Sequence, residues 1–184
     1  MKFNKTDIEG VFIITPTRYQ DDRGFFCETF KAEVFNAETD TNLNFVQDNF
    51  SYSNQAGTVR GLHYQAPPFE QGKLVRCTRG KVVDVAVDVR PSSPTYGKQV
   101  RAVLSADNGH QIWVPPGFLH GFCTLENNSE VAYKVTNYYS KECDGNVLWN
   151  DPTLNIDWGI DEEKAILSDK DKNAPKLDAW VNPF

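Results

Sequence analysis

Residues 81–89 read Lys-Val-Val-Asp-Val-Ala-Val-Asp-Val, an alternation that constrains the fold more than any other feature of the chain. A side-chain period of two puts Val83, Val85, Val87 and Val89 on one face of a strand and Val82, Asp84, Ala86 and Asp88 on the other. The second face carries two carboxylates, so the pattern predicts a strand with one apolar face. The same period runs through Gly10–Thr15, Gly24–Phe30, Lys73–Cys77, Gln99–Leu104, Gln111–Val114 and Glu130–Val135. Turn-forming runs separate these stretches, among them Asp22-Arg23-Gly24, Arg79-Gly80, Pro115-Pro116-Gly117 and Asn127-Asn128-Ser129. Helical patterns are confined to Lys31–Glu38 and Asp161–Leu167, the latter with acids in its first turn, where the helix dipole favours them. Many short strands with little helix predict an all-β sandwich or barrel with a few short helices.

The length of 184 residues suits one domain, and 40% hydrophobic residues suffice for a sizeable core and exclude a disordered chain. Residues after about Asn150 turn polar, acidic and proline-punctuated. The reading is a single domain over 1–184, in which 150–184 packs back on the β body. Nineteen bases against 25 acids leave a net charge of −6, which argues against a basic-surface binder of nucleic acid or anionic membranes. No apolar run reaches the roughly 20 residues of a membrane span, and Met1–Glu9 lacks a signal-like apolar stretch. A soluble, cytoplasmic chain without nucleic-acid or membrane partners is expected. The charge is uneven: residues 141–184 hold 10 acids and 5 Lys, whereas all seven Arg lie between Arg18 and Arg101.

Cys27, Cys77, Cys123 and Cys143 are widely spaced, which excludes a zinc ribbon or thioredoxin-like site and leaves free thiols as the expectation. His63, His110 and His120 are the only histidines. Gly109, Pro115, Gly117 and His120 stand at the spacing of the second motif of the cupin superfamily, with Thr124 where an Asn is usual. The Pro-Pro-Gly turn would feed a strand that delivers His120 to a barrel interior. Gly57 and His63 fit the start of the first cupin motif. There the match decays: the second His is Gln65, and Glu70 lacks its following Gly. Gln65 is a poor ligand for a transition metal, so the chain resembles a cupin-type jelly-roll barrel that needs no metal and no cofactor.

Longer stretches carry a more specific likeness. Asp22–Phe30, Phe45–Ser51, Val59–Gln65, Gln71–Arg76, Asp84–Asp88, Ser93–Gly97, Pro116–Phe122, Tyr133–Tyr139, Leu148–Pro152 and Leu167–Asp171 span almost the whole chain in order. Together they resemble the dTDP-4-dehydrorhamnose 3,5-epimerase family. The likeness implies epimerisation of a dTDP-4-keto-6-deoxy sugar at the two carbons flanking its ketone. Those carbons bear acidified C–H bonds, and inverting them needs a base, an acid on the other face, and a group that stabilises the enolate. The resemblance assigns the base to His63, its carboxylate partner to Asp171, the proton donor to Tyr133 and the group near the keto oxygen to Lys73. It places Arg23, Glu28, Gln47, Asp48, Asn49, Arg60, His120 and Lys170 in contact with the substrate, and stacks Tyr139 on the thymine. Asp144 stands where a contacting Glu is usual, so its shorter side chain departs from the pattern. Asp84 is either an orienting group behind the site or a structural carboxylate. Phe26 would line the cleft or, more in keeping with its type, enter the core. Trp149 and Trp158 are expected to pack the C-terminal segment on the barrel. The resemblance also implies a homodimer with N-terminal exchange, with Phe3–Thr15 and Phe25–Phe26 as candidate strands.

Two other readings stay open at this level. A single-position epimerase or a ketoisomerase shares the barrel and the histidine. A non-catalytic sugar-nucleotide-binding cupin needs neither base nor acid, which the set His63, Lys73, Tyr133 and Asp171 argues against.

Overall fold

The computed structural model describes residues 1–184. Thirteen strands form two facing antiparallel sheets and one detached hairpin. The first sheet contains β1 (Lys2–Lys5), β2 (Phe12–Thr15), β5 (Gln47–Ser53), β7 (Lys73–Arg79), β10 (Gln111–Val114) and β12 (Ser129–Val135), in the order β1-β2-β10-β7-β12-β5. The second contains β6 (Val59–Gln65), β8 (Lys81–Asp88), β9 (Gln99–Ser105), β11 (Phe118–Thr124) and β13 (Asp144–Asn146), in the order β13-β6-β11-β8-β9. The hairpin joins β3 (Arg18–Asp21) to β4 (Gly24–Cys27). Helices are short: α1 (Ala32–Thr39) and α2 (Asp169–Lys172), with a single 3-10 turn over Glu162–Lys164 where a helix over Asp161–Leu167 is expected. This is the cupin-type all-β architecture, and none of its helices is long and apolar enough to cross a membrane.

The alternation of β8 is buried on both faces, contrary to the one-sided expectation. Val82 and Ala86 enter the core between the sheets, with Val75, Ile112, Phe122 and Val131. Val83, Val85, Val87 and Val89 face outward, yet all are fully buried. Residues beyond 146 cover them: Val147, Trp149, Leu154 and Trp158 pack there against Leu62 and Leu119. The two tryptophans lie 6.2 Å apart, and Trp158 Nε1 donates to the Trp149 carbonyl at 2.9 Å. Each such apolar side chain contributes about 1.5–3 kcal/mol on burial, which is what holds the acidic C-terminal segment against the sheet. Asp151 ties down the return of the chain, accepting from the Leu177 amide at 2.8 Å. Asp88 is also fully buried, its carboxylate taking bonds from Arg90, Ser93 and Thr95.

The outer face of the first sheet is covered by α1. Phe35 of α1 is buried against Phe12, Ile14, Leu74 and Trp113, with Phe30 and Phe45 packed alongside. The hairpin β3–β4 stands apart. Arg18 pins its base by donating to the carbonyls of Ala106 and Asp107, each at 2.6 Å. Its aromatics are bare: Phe26 is 70% exposed and stacks only on Tyr19, so it belongs neither to the core nor to the cleft of its own chain. Within the single chain the stretch Phe3–Thr15 pairs in the first sheet, Phe3 opposite Ile14 and Ile13 opposite Ile112, while the hairpin keeps Tyr19, Phe25 and Phe26 exposed.

Candidate active site

Three walls enclose a cleft of about 440 Å³ at one end of the barrel. The second sheet contributes Arg60, His63, His120 and Phe122, the first sheet Ser51, Lys73 and Tyr133, and the C-terminal segment Ile166 to Ser168, Lys170 and Asp171. A second lobe of about 360 Å³ shares His63, Lys73, Tyr133 and Lys170, and adds Gln47, Asn49, Tyr139 and Asp144.

Strand alternation decides which side chains arrive. On β12, Val131 packs in the core and Tyr133 follows on the same face; on β7, Lys73 precedes core Val75. On β5, Gln47, Asn49 and Ser51 point inward, which sends Asp48 outward, where it binds Lys134 at 2.8 Å. Asp48 is therefore not a cleft residue of its own chain. Arg60 and His63 pose a different problem, because three residues apart they fall on opposite faces of a regular strand. The β6–β11 ladder shifts register there, pairing Phe122 with Arg60 but His120 with His63. The extra residue turns both side chains inward. Gly61 makes the bulge tolerable: its φ is +134°, and a Cβ there would lie 2.6 Å from the Gly121 Cα.

His63 Nε2 lies 2.6 Å from Asp171 Oδ1. A carboxylate at that nitrogen holds the ring in the Nε2–H tautomer, which leaves the Nδ1 lone pair free to take a proton. Asp171 is only 3% exposed. It sits in the first turn of α2, whose N-cap Ser168 accepts from the Asp171 amide at 3.2 Å. Burial pushes the Asp171 carboxyl up, but hydrogen bonds from His63, Ser168 and the Gly61 amide outweigh it and hold the group below the usual carboxylate range. The helix is anchored by Asn146, which donates to the Lys170 carbonyl at 2.9 Å and stands opposite His63 in the ladder.

On the facing sheet, burial drives the Lys73 ammonium down to about 8; only attraction across space to Asp84 and Asp144 opposes it. Burial raises the Tyr133 phenol above its ordinary value, and the Arg60 charge offsets part of that. Tyr133 thus stays protonated at neutral pH. His120 is tied to Asp84, with Nε2 at 2.9 and 3.0 Å from the two carboxylate oxygens, and Asp84 is wholly buried. Asp84 thus stands behind His120 as an orienting carboxylate. In the second lobe, Tyr139 donates to Asp144 at 3.3 Å, and the Lys170 ammonium binds the same carboxylate oxygen. The short Asp144 side chain is therefore already engaged by its neighbours.

Gln65, where metal cupins carry a His, spends its amide on the backbone: it donates to the Phe69 and Tyr138 carbonyls and accepts from the Ser140 amide. Nowhere in the chain do three or more His, Cys, Asp or Glu side chains gather as metal ligands. Arg23 and Glu28 do not reach the cleft. Both are exposed on or beside the hairpin, and Arg23 pairs with Asp21 at 2.6 Å. Conversely, Ser51, Phe122, Ile166 and Ser168 line the cleft without having been singled out from the sequence. Only Ser168 had a readable signal, as an N-cap before Asp-Lys-Asp.

A double-sheet barrel whose cleft sets a His–Asp pair, joined across the second sheet and the C-terminal segment, opposite a protonated Tyr and a Lys of the first sheet defines the class: a cupin-type isomerase. Residues 5–179 match the family model described as dTDP-4-dehydrorhamnose 3,5-epimerase. The chain belongs to the dTDP-4-dehydrorhamnose 3,5-epimerase family. It is 49% identical to the dTDP-4-dehydrorhamnose 3,5-epimerase of Shigella flexneri, covering 96% of each chain. The crystal structure of dTDP-4-dehydrorhamnose 3,5-epimerase from Elizabethkingia anophelis superposes with a TM-score of 0.93 at 47% identity, covering 97% of each. The Legionella pneumophila dTDP-6-deoxy-D-glucose-3,5-epimerase, solved with dTDP-4-keto-L-rhamnose, gives a TM-score of 0.92 at 45% identity over 97% of this chain and 93% of that one.

Proposed function

We propose that the chain epimerises dTDP-4-dehydro-6-deoxy-D-glucose at both carbons flanking the ketone, giving dTDP-4-dehydro-L-rhamnose. The observation that carries the mechanism is the placement of His63 and Tyr133 on facing sheets across one cleft. His63 Nδ1 removes the proton from a carbon beside the carbonyl, and the C–H electron pair passes into an enolate. Asp171 stabilises the imidazolium that forms. The Lys73 ammonium balances the negative charge gathering on the keto oxygen, in a site dry enough to depress its own pKa. Tyr133 returns a proton to the opposite face of the carbon, which inverts it. His63 then releases its proton to solvent and Tyr133 takes one from solvent, and repetition at the second flanking carbon completes the reaction. Each step is a proton transfer with no net redox change, so the chemistry requires no cofactor.

The second lobe suits the nucleotide. Tyr139 is 59% exposed and offers its ring to the thymine, while Lys170, shared by both lobes, and Arg60 of the first lobe supply positive charge for the diphosphate. Gln47, Asn49 and Asp144 provide polar partners beside them. Arg23 and Glu28 complete this end from a second copy of the chain. The bare aromatics of the hairpin are the surface that would dock there, in a homodimer.

Incubation with the substrate in deuterium oxide tests the reading. Deuterium is expected at both flanking carbons, and His63→Ala is expected to abolish it. Exchange at one carbon alone would make the chain a single-position epimerase. Binding without exchange at either carbon would make it a sugar-nucleotide-binding cupin.

A further inference from the structure

The C-terminal wall of the cleft holds a side chain that acid–base chemistry leaves unused. Ile166 is 40% exposed although it is large, apolar and rigidly held. Its amide donates to the Gly57 carbonyl at 2.8 Å, and its carbonyl accepts from the Val59 amide at 2.9 Å, forming a parallel bridge beside Thr58. Two backbone bonds clamp the residue to the edge of β6, so its exposure is built in rather than a product of loose chain. The other apolar side chains of the cleft have little area to offer: Val59 is 1% and Phe122 6% exposed, and Leu167 packs into the outer core.

The sugar presents hydroxyl, carbonyl and ring oxygens to its surroundings, and one apolar group, the C6 methyl. That methyl is bonded to C5, one of the two reacting carbons. When His63 reaches the C5 proton, the methyl lies next to it and must meet a wall. The two sheets offer polar groups there, namely Ser51, Arg60, His120, Lys73 and Tyr133. The wall that carries Asp171, the partner of His63, also carries Ile166 five residues earlier.

We propose that Ile166 is a specificity-determining residue that packs against the C6 methyl, selects 6-deoxy sugars over their 6-hydroxy counterparts, and orients C5 for proton removal. This rests on the epimerase reading above. C3 bears a hydroxyl and no methyl, so its chemistry is independent of the contact. Loss of one methyl-sized burial is worth about fourfold.

The experiment compares wild type, Ile166→Ala and Ile166→Leu in two measurements. Deuterium incorporation is followed separately at C5 and C3 by NMR. In Ile166→Ala the C5-to-C3 ratio is expected to fall about fourfold, and Ile166→Leu is expected to stay within twofold of wild type. C3 exchange in the same sample reports that the variant is folded. Calorimetry with dTDP-6-deoxyglucose and dTDP-glucose, which differ only in the C6 hydroxyl, is expected to show a preference of at least fourfold for the deoxy sugar in wild type, lost in Ile166→Ala. An unchanged C5-to-C3 ratio, or a deoxy preference that survives Ile166→Ala, overturns the proposal. Absence of exchange at both carbons in wild type, with the deoxy preference still set by Ile166, defeats the epimerase reading and leaves the methyl contact standing.

Discussion

Replacing Asp171 by Asn keeps the shape of the side chain and removes its charge. The carboxylate is 3% exposed and meets His63 Nε2 at 2.6 Å, so solvent screens the pair little. When His63 takes a proton, opposite charges face each other at about 4 Å between centres. At an effective dielectric of about 20 that attraction is about 4 kcal/mol. The Asn amide oxygen still accepts from Nε2, so the net loss is nearer that of one hydrogen bond to a charged group, about 2–3 kcal/mol. That converts to a fall of about 30- to 160-fold in kcat/KM. If the amide instead turns its N–H toward Nε2, the ring proton moves to Nδ1, the basic lone pair disappears from the cleft, and the loss exceeds this range. The assay is deuterium incorporation at each flanking carbon, run beside thermal unfolding, because the Asp171 carboxylate also accepts from Ser168 and the Gly61 amide. Both carbons should slow by the same factor, since one base serves both. A variant that is folded and within threefold of wild type would refute the argument that this carboxylate stabilises the imidazolium.

Lys73 imposes an alkaline limit. Its ammonium is held at about 8, so kcat/KM should fall about tenfold per pH unit above that value. The Tyr133 phenol is raised and contributes no loss there, so a profile flat to pH 10 would remove Lys73 from enolate stabilisation. Asp88 is a stability prediction. Its carboxyl is fully buried; burial pushes it up, but Arg90, Ser93 and Thr95 outweigh this and lower it from 3.8 to about 2. A depressed carboxyl stabilises the fold above its unfolded value and loses that contribution as pH falls toward 2, which makes Asp88→Asn about 2 kcal/mol less stable at pH 7. Denaturant unfolding at pH 7 and pH 2 should show the gap between wild type and variant close at the lower pH. Finally, if the hairpin acts on a partner's cleft, Arg23→Ala and His63→Ala should complement each other. Random mixing makes half the dimers hybrid, each with one intact site, for about a quarter of wild-type activity. Activity no higher than the average of the separate variants would place Arg23 in its own chain's site.

Strands with a regular apolar alternation were readable, including β7 and β12, which bring Lys73 and Tyr133 to the cleft, whereas two other strands of the site were not. β10 and β12 carry the apolar alternation on their inward faces, and β8 carries it on the outer face that the C-terminal segment covers. β5 and β6 show no such alternation, because their inward positions carry Gln47, Asn49, Ser51, Arg60 and His63. A strand that lines a polar cleft lacks the hydrophobic face that period-two reading relies on. The α2 turn escaped for a related reason: four residues, Asp-Lys-Asp-Lys, make no amphipathic stripe, and only docking on β6 and the Ser168 cap fix them as a helix.

The amino-acid sequence by itself determined the all-β class, the turns, the free thiols and, through its family likeness, the candidates for base, carboxylate partner, acid and enolate-binding lysine: His63, Asp171, Tyr133 and Lys73. Their meeting was decided by tertiary structure. His63 and Asp171 lie 108 positions apart, and their 2.6 Å contact depends on the C-terminal segment folding across the outer valines of β8. The register shift at Gly61 turns Arg60 and His63 to one face, and plain alternation sends Asp48 away from it. Arg23 and Glu28 were left on an exposed hairpin, outside the cleft of their own chain. Local pattern sets which way a side chain points along a strand. Which groups share a dehydrated cleft depends on the pairing of strands and segments distant in sequence, and that dehydration is what shifts Lys73 and Tyr133 from their ordinary pKa values.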